Sequence, residues 1–335
     1  MDISMESYGI RTDLAIESAQ MFSKKNGHLP GVQVEEWEDP ATAIHVTWVR
    51  ISSLEGEQAL GKAMGDYITL DVPELDQPDG SYHREITTEL MRQLKRLAPD
   101  IQKRKVLVAG IGNREMSPDA LGPLVADHLF ITRHLMEEYG KDSEVTRGLG
   151  CISALAPGVM AQTGIETREI LLGTVKETQP DLLIVVDALA ARSVSRLNKT
   201  IQMTNTGIAP GAGIGNRRYG IDEKTVGIPV IAIGIPTVID AAAIVNDTLE
   251  RLLSVLPTID SSANGDDRAK KRQAFQAACE SVAVFDHQDR YLLMRELMEP
   301  EMMNMFVTPK NMDEIITQMS YTISEAINSL CHTGI

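Results

Sequence analysis

Three short stretches of the chain are apolar at nearly every position rather than at alternate ones. They are Lys105-Val-Leu-Val-Ala-Gly110, Asp181-Leu-Leu-Ile-Val-Val186 and Ile228-Pro-Val-Ile-Ala-Ile-Gly-Ile-Pro236. An apolar run too short for a helix predicts a strand covered on both faces, as in a parallel sheet. Elsewhere the pattern alternates. Ile44-His-Val-Thr-Trp-Val-Arg-Ile51 predicts a half-buried strand, and Tyr67-Ile-Thr-Leu-Asp-Val72 is its partner across a turn or helix end at Gly61-Lys-Ala-Met-Gly65. Short strands are expected near 152–158 and 200–203.

Helical spacing fills the gaps. Residues 84–97 align Ile86, Leu90, Met91, Leu94 and Leu97 on one face. Thr12 can cap a helix carrying Leu14, Ala15, Ile16, Ala19, Met21 and Phe22. Ser117 as N-cap and Pro118 at the first helical position predict a helix from Asp119 to about Tyr139. Further helices are expected over 163–175 and 241–256, and over most of the Met- and Leu-rich C-terminal part. Residues 73–80 and the glycine-rich 207–216 read as loops, and the charged stretch 261–272 as a mobile linker. Strands alternating with helices predict an α/β fold: a mainly parallel twisted sheet with helices on both faces.

Bulk properties narrow the function. The 335 residues allow two lobes or one large α/β domain. A formal net charge of -15 argues against a broad nucleic-acid or anionic-membrane surface. Cys151, Cys279 and Cys331 are scattered and odd in number, which points to reduced thiols and excludes a CxxC metal or redox motif. The N-terminus lacks the basic and apolar regions of a signal peptide. No apolar stretch approaches the ~20 residues of a membrane span. The expectation is a protein that stays in the cytoplasm, where it is made.

Candidate chemistry lies at the carboxyl ends of the buried runs, where open α/β sheets bind ligands. Asp187 directly follows 181–186. A carboxylate so close to the sheet interior needs a partner: Arg192, a backbone N–H, a metal or a second carboxyl. Asp119 lies a few residues beyond 105–110. An aspartate in a first helical turn is commonplace, because the helix dipole stabilises it. Two carboxyls delivered to one edge can hold one proton between them, so that one activates water and the other protonates a leaving amine. The same pair can instead hold a divalent ion. Asp240 follows the third run. Gly110-Ile-Gly112 starts a dinucleotide fingerprint, but Glu115 stands where the third glycine belongs. There is no G-x-S-x-G elbow and no HExxH. The loop 207–216 reads as a plain connection before an anion cradle.

Taken in order, several segments resemble the germination protease family of endospore-forming bacteria. They are Tyr8-Gly-Ile-Arg-Thr-Asp-Leu-Ala-Ile-Glu17, Ser117-Pro-Asp-Ala-Leu-Gly-Pro123, Ile131-Thr-Arg-His-Leu135, Ala156-Pro-Gly-Val-Met160 and Thr163-Gly-Ile-Glu-Thr167. Val186-Asp-Ala-Leu-Ala-Ala-Arg-Ser193, Gly227-Ile-Pro-Val-Ile-Ala-Ile-Gly-Ile-Pro-Thr-Val238 and Val307-Thr-Pro-Lys310 complete the set.

The resemblance implies an endopeptidase that starts the breakdown of small acid-soluble spore proteins in the spore core. It implies a homotetrameric, self-processing zymogen, and a fold like the hydrogenase-maturation peptidases (phosphorylase/hydrolase-like). It puts Asp119 and Asp187 in the place of the proposed catalytic pair. It also gives the N-terminus a meaning. The family cuts after Glu in a sequence like Thr-Glu-Phe/Ile-Ala-Ser-Glu, and Thr12-Asp13-Leu14-Ala15-Ile16-Glu17 is similar to it. Cleavage at Asp13-Leu14 would release residues 1–13 as a propeptide. Residues 14–335 would then be a single peptidase domain: a strand pair at about 40–75, a core sheet at about 100–256, a linker at 258–272 and C-terminal helices at 273–330. The chain departs from its relatives at Ala209, where they carry a histidine before Pro210-Gly211. That disfavours a metal and favours the two carboxyls alone. No cofactor is expected. Two rivals stand: a metal-dependent peptidase using the same carboxylates, and a non-catalytic module that binds peptide or nucleotide.

Overall fold

A computed structural model describes residues 13–19, 30–40, 42, 44–73, 75, 80–141, 143–211, 219–255, 284–285, 287–299, 302 and 305–333. The linker 258–272 and most of the propeptide, Thr12 included, lie outside the described residues.

Nine strands of the described residues form one sheet: β1 (Val32–Glu38), β2 (His45–Ile51), β3 (Gly65–Asp71), β4 (Lys105–Gly110), β5 (Cys151–Leu155), β6 (Leu182–Ala191), β7 (Thr200–Thr204), β8 (Val230–Asp240) and β9 (Phe306–Val307). The order is β1-β2-β3-β7-β8-β6-β4-β5, with β9 added to β8. β8, β6, β4 and β5 are mutually parallel and form the expected core. β7 joins β8 antiparallel, and β3, β2 and β1 follow in antiparallel register. The strand pair read from the alternating pattern is thus an extension of the core sheet.

Both faces of the parallel strands are covered. Val106 and Val108 of β4, with Ile184 and Val186 of β6, pack into the large core with Ile86, Leu90 and Leu94 of the helix Gly80–Leu97 and with Ile323 and Ile327 of the helix Met312–Cys331. The alternate residues, Leu107, Ala109, Leu183 and Val185, face Leu171 of the helix Thr167–Thr178. This two-sided burial is why the runs carry no polar alternation.

Several elements differ from the pattern. β1 is an edge strand with mostly exposed side chains, so no apolar signal marks it. β2 is buried on both faces: Val46 joins the large core, while Val49 and Ile51 join Ala15, Ala19 and Leu60 on the other side. The helix expected from Asp119 to Tyr139 is interrupted. A 3-10 turn at Ser117–Asp119 leads into Leu121–Asp127, and a second helix spans Arg133–Tyr139. Between them, buried Thr132 donates its hydroxyl to the Gly150 carbonyl at 2.5 Å and accepts from Ile152 N–H at 2.9 Å. These bonds to the β5 end pull the backbone out of the helix. Ser117 caps nothing; its hydroxyl pairs with Asp313. The helix expected over 163–175 is a turn at Met160–Thr163 followed by Thr167–Thr178, separated by left-handed Gly164.

Candidate active site

A cavity of about 580 Å³ opens where β6, β7 and β8 meet the loop after β4, and Asp13, Asp119 and Asp187 all line it. Three glycines let that loop lie against the sheet. A Cβ on Gly110 would meet the Gly122 carbonyl at 2.0 Å, and one on Gly122 would meet the Ile111 and Val186 carbonyls at 2.3 and 2.4 Å. Gly112 has φ +120, and its Cβ would meet the Asp119 carbonyl at 2.0 Å. Only glycine permits this approach and this backbone. Ile111 N–H donates to the Val186 carbonyl at 2.8 Å, and Thr237 of β8 donates its hydroxyl to the Pro118 carbonyl at 2.5 Å. The Gly-Ile-Gly pair that mimicked a dinucleotide fingerprint is therefore a packing device. It fixes Asp119 beside the middle of β6, next to Val186, where its Oδ2 accepts from Asn113 N–H at 2.7 Å. Asp119 sits in the 3-10 turn and so lacks the dipole of a full helix.

Asp187 lies within β6, not beyond it. The strand continues through Ala191 because β8 continues through Asp240, and Asp187 pairs in register with Gly234. Its residue is 5% exposed, and Oδ1 accepts from Ala188 N–H at 2.9 Å. Gly234 has a second role: a Cβ there would meet Leu189 side-chain atoms at 2.5 Å. Without one, Leu189 can sit in the cavity wall. The charges around Arg192 are those of Glu17, Glu250 and Asp247, and burial holds its pKa below the usual value.

The N-terminal segment forms part of the wall of this cavity at Asp13. Leu14 and Ile16 are buried against Leu189 and Ile208. Asp13 Oδ2 accepts from Ala190 N–H at 2.9 Å. The Asp13 carbonyl accepts from Lys62 Nζ and from Gln202 Nε2, each at 3.0 Å. Gln202 Oε1 in turn accepts from Ala15 N–H at 2.6 Å. One side-chain amide thus spans the Asp13-Leu14 bond, as a neighbouring strand would. Four residues further, buried Glu17 accepts from the backbone N–H groups of Arg192 and Ser193, each at 3.3 Å, with Arg196 Nε at 3.9 Å. Arg196 is itself held by Asp71 at 2.8 Å.

Sequence reasoning singled out Asp13, Leu14, Asp119 and Asp187; the three aspartates line one cavity, and Leu14 packs on Leu189 beside it. The same reasoning passed over Lys62, Gln202 and Arg196. Lys62 follows left-handed Gly61 in a stretch read as a turn or helix end, and Gln202 occupies an ordinary strand position. The turn is fixed by Tyr67, whose hydroxyl donates to the Ala63 carbonyl at 2.8 Å and whose pKa burial raises to about 12. Burial also pushes the Lys62 ammonium below its usual pKa, opposed by the charges of Asp13 and Glu17. Asp240 is structural: it accepts from Ala242 N–H and the Tyr291 hydroxyl. Among the described residues, no three His, Cys, Asp or Glu side chains cluster as metal ligands. No helix among them is long and apolar enough to cross a membrane.

Comparison with known proteins shows the family of the chain. A family model described as germination protease matches residues 10–278. The germination protease of Clostridium tetani is 39% identical over 95% of this chain and 94% of its own. That of Caldanaerobacter subterraneus is 39% identical over 98% of this chain and 95% of its own, and that of Bacillus cereus strain G9842 is 34% identical with the same coverage. Among solved structures, the NiFe hydrogenase maturation protease HycI of Thermococcus kodakarensis aligns with 40% of this chain and 75% of its own, at 19% identity and a TM-score of 0.26. The chain belongs to the germination protease family and is a peptidase of spore germination.

Proposed function

We propose that the protein is an aspartate-dependent endopeptidase, made as a zymogen that cuts itself between Asp13 and Leu14. The observation that carries this reading is the N-terminal segment itself. Asp13 and the two candidate carboxyls line one cavity, and the chain is held on both sides of the Asp13-Leu14 bond. Asp119 and Asp187 share the acid and base work. The ionised carboxylate takes a proton from water as its oxygen attacks the carbonyl carbon. The protonated one delivers a proton to the leaving nitrogen.

The segment also accounts for latency. While Leu14 and Ile16 cover Leu189 and Ile208 beside the cavity, a second peptide cannot take their place. Cleavage frees residues 1–13 and lets the new N-terminus leave. The substrates are then proteins carrying an acidic residue before the cut, an apolar residue after it and an acidic residue three positions further on. The small acid-soluble spore proteins implied by the family fit that pattern. A homotetramer in the cytoplasm of the forespore is the expected form.

The test is mass spectrometry of the purified full chain held at mildly acidic pH, with and without EDTA. Loss of residues 1–13 in both samples, absent in Asp119→Asn and Asp187→Asn, supports the reading. A chain that stays intact and cleaves no Glu-Ile or Glu-Phe peptide overturns it. Cleavage abolished by EDTA and restored by a divalent ion transfers the water activation to a metal.

A further inference from the structure

We propose that Lys62 and Gln202 form the oxyanion hole of this peptidase. The inference rests on the reading of Asp13-Leu14 as the bond that is cut. The carbonyl oxygen of Asp13 then belongs to the scissile peptide. Two side-chain N–H donors meet it: Lys62 Nζ and Gln202 Nε2, both at 3.0 Å. They come from separate elements, the turn after the helix Leu54–Leu60 and strand β7. Neither element carries an aspartate of the pair.

Peptide hydrolysis needs such a site. As water oxygen bonds to the Asp13 carbonyl carbon, the C=O π pair moves onto oxygen. One proton of the water passes to the ionised carboxylate. The oxyanion is stabilised by the Lys62 ammonium and the Gln202 amide. When the C–N bond breaks, that electron pair returns to re-form C=O. The Leu14 nitrogen leaves with its bond pair and takes a proton from the protonated carboxyl. Water and peptide give one acid and one amine. Donors fixed in advance lower the barrier because they need not reorganise as charge develops.

Both donors are fixed. Gln202 is buried, and its Oε1 is committed to Ala15 N–H, which sets the amide orientation so that Nε2 faces the Asp13 carbonyl. Lys62 follows Gly61, whose φ of +63 turns the chain into the cavity, and Tyr67 ties down the far side of the same turn. A buried ammonium gains more from a nearby developing negative charge than an exposed one does.

The experiment measures kcat and KM of the self-processed protein on a peptide carrying Glu before Ile, together with self-cleavage of the full chain. Lys62→Met and Gln202→Met are compared with the parent and with Lys62→Arg, with folding checked by melting temperature. The expected result is a drop of about 10²–10³-fold in kcat for each Met variant with KM changed only a few-fold. Lys62→Arg should recover part of the loss. Parent activity in either folded Met variant, or a loss confined to KM, overturns the proposal while leaving the peptidase reading intact. A parent that cuts neither itself nor the peptide overturns the peptidase reading instead.

Discussion

The parallel strands β5, β4, β6 and β8 are almost purely aliphatic up to the point where they reach the cavity. The antiparallel strands beside them carry threonine, glutamine and aspartate at many positions, among them Thr69, Asp71, Gln202 and Thr204. The difference follows from what covers each half. Helices sit on both faces of the parallel strands, so polar groups are few there, and Asp187 and Thr237 stand where the sheet meets the cavity. The antiparallel half meets the N-terminal segment on one face, and a peptide needs hydrogen-bonding partners along its length. The two halves thus divide the work. The parallel half holds the reacting carboxyls, and the antiparallel half, with the turn at Lys62, grips the peptide and polarises its carbonyl.

The sharpest way to break that division is to remove a carboxyl. Asp187→Asn and Asp119→Asn keep shape and hydrogen-bonding capacity but cannot cycle a proton near neutral pH. Cleavage is expected to fall by about 10²–10⁴-fold or more in each, measured on peptide and on the chain itself. Binding of a non-cleavable peptide should change little. A variant that binds tenfold more weakly and still turns over would assign the aspartate to the gripping half.

The loop that brings Asp119 to the sheet offers a second cut through the comparison. Gly112→Ala places a Cβ 2.0 Å from the Asp119 carbonyl on a backbone of φ +120. Strain of about 1–3 kcal/mol is expected. The loop can relieve it only by moving Asp119. Activity should therefore fall by at least tenfold while the melting temperature drops by only a few degrees. Unchanged activity would show that Asp119 tolerates displacement, which a proton-transfer group does not.

On the gripping side, Glu17→Gln removes the charge that the Arg192 and Ser193 N–H groups and Arg196 surround. A hydrogen bond to a charged group contributes about 1.5–3 kcal/mol, so the anchor should weaken by roughly ten- to a hundred-fold. Self-cleavage should slow accordingly, and peptides with Gln in place of the distal Glu should show it in KM. An effect on kcat alone would move Glu17 to the chemical half.

The parallel half was legible in the sequence and the gripping half was not, for a physical reason. Continuous aliphatic runs such as 181–186 have few explanations, and Asp187 stood out against one. Gln202 and Lys62 carry no such contrast. Their meaning comes from a partner 187 or 49 residues away, the backbone of Ala15 and Asp13. The interruption of the helix after Asp119 was hidden similarly, because Thr132 leaves the helix to bond residues of the β5 end. Asp13-Leu14 was visible only through family resemblance, since its apolar neighbours fit an ordinary helix start.

The smallest expected effect falls outside both halves, which makes it the control. His332 anchors the C-terminal helix to the β5 end: its Nδ1 accepts from Gly150 N–H and its Nε2 meets the Phe130 carbonyl, each at 3.1 Å. Burial holds its pKa below the ordinary imidazole value. The folded state therefore binds fewer protons here than the unfolded state. Its contribution to stability is fully present above about pH 6.5 and is lost as pH falls through the depressed folded value. Half-buried His128 is shifted the same way and adds to the loss. Melting temperature should decline by a few degrees on this acid limb, with a shallower decline in His332→Asn, while the kcat of the folded protein at a fixed pH stays at the parent value. A change in kcat would mean that the C-terminal helix reaches the carboxyls through the Ser117–Asp313 pair, and that the parallel half is not self-contained.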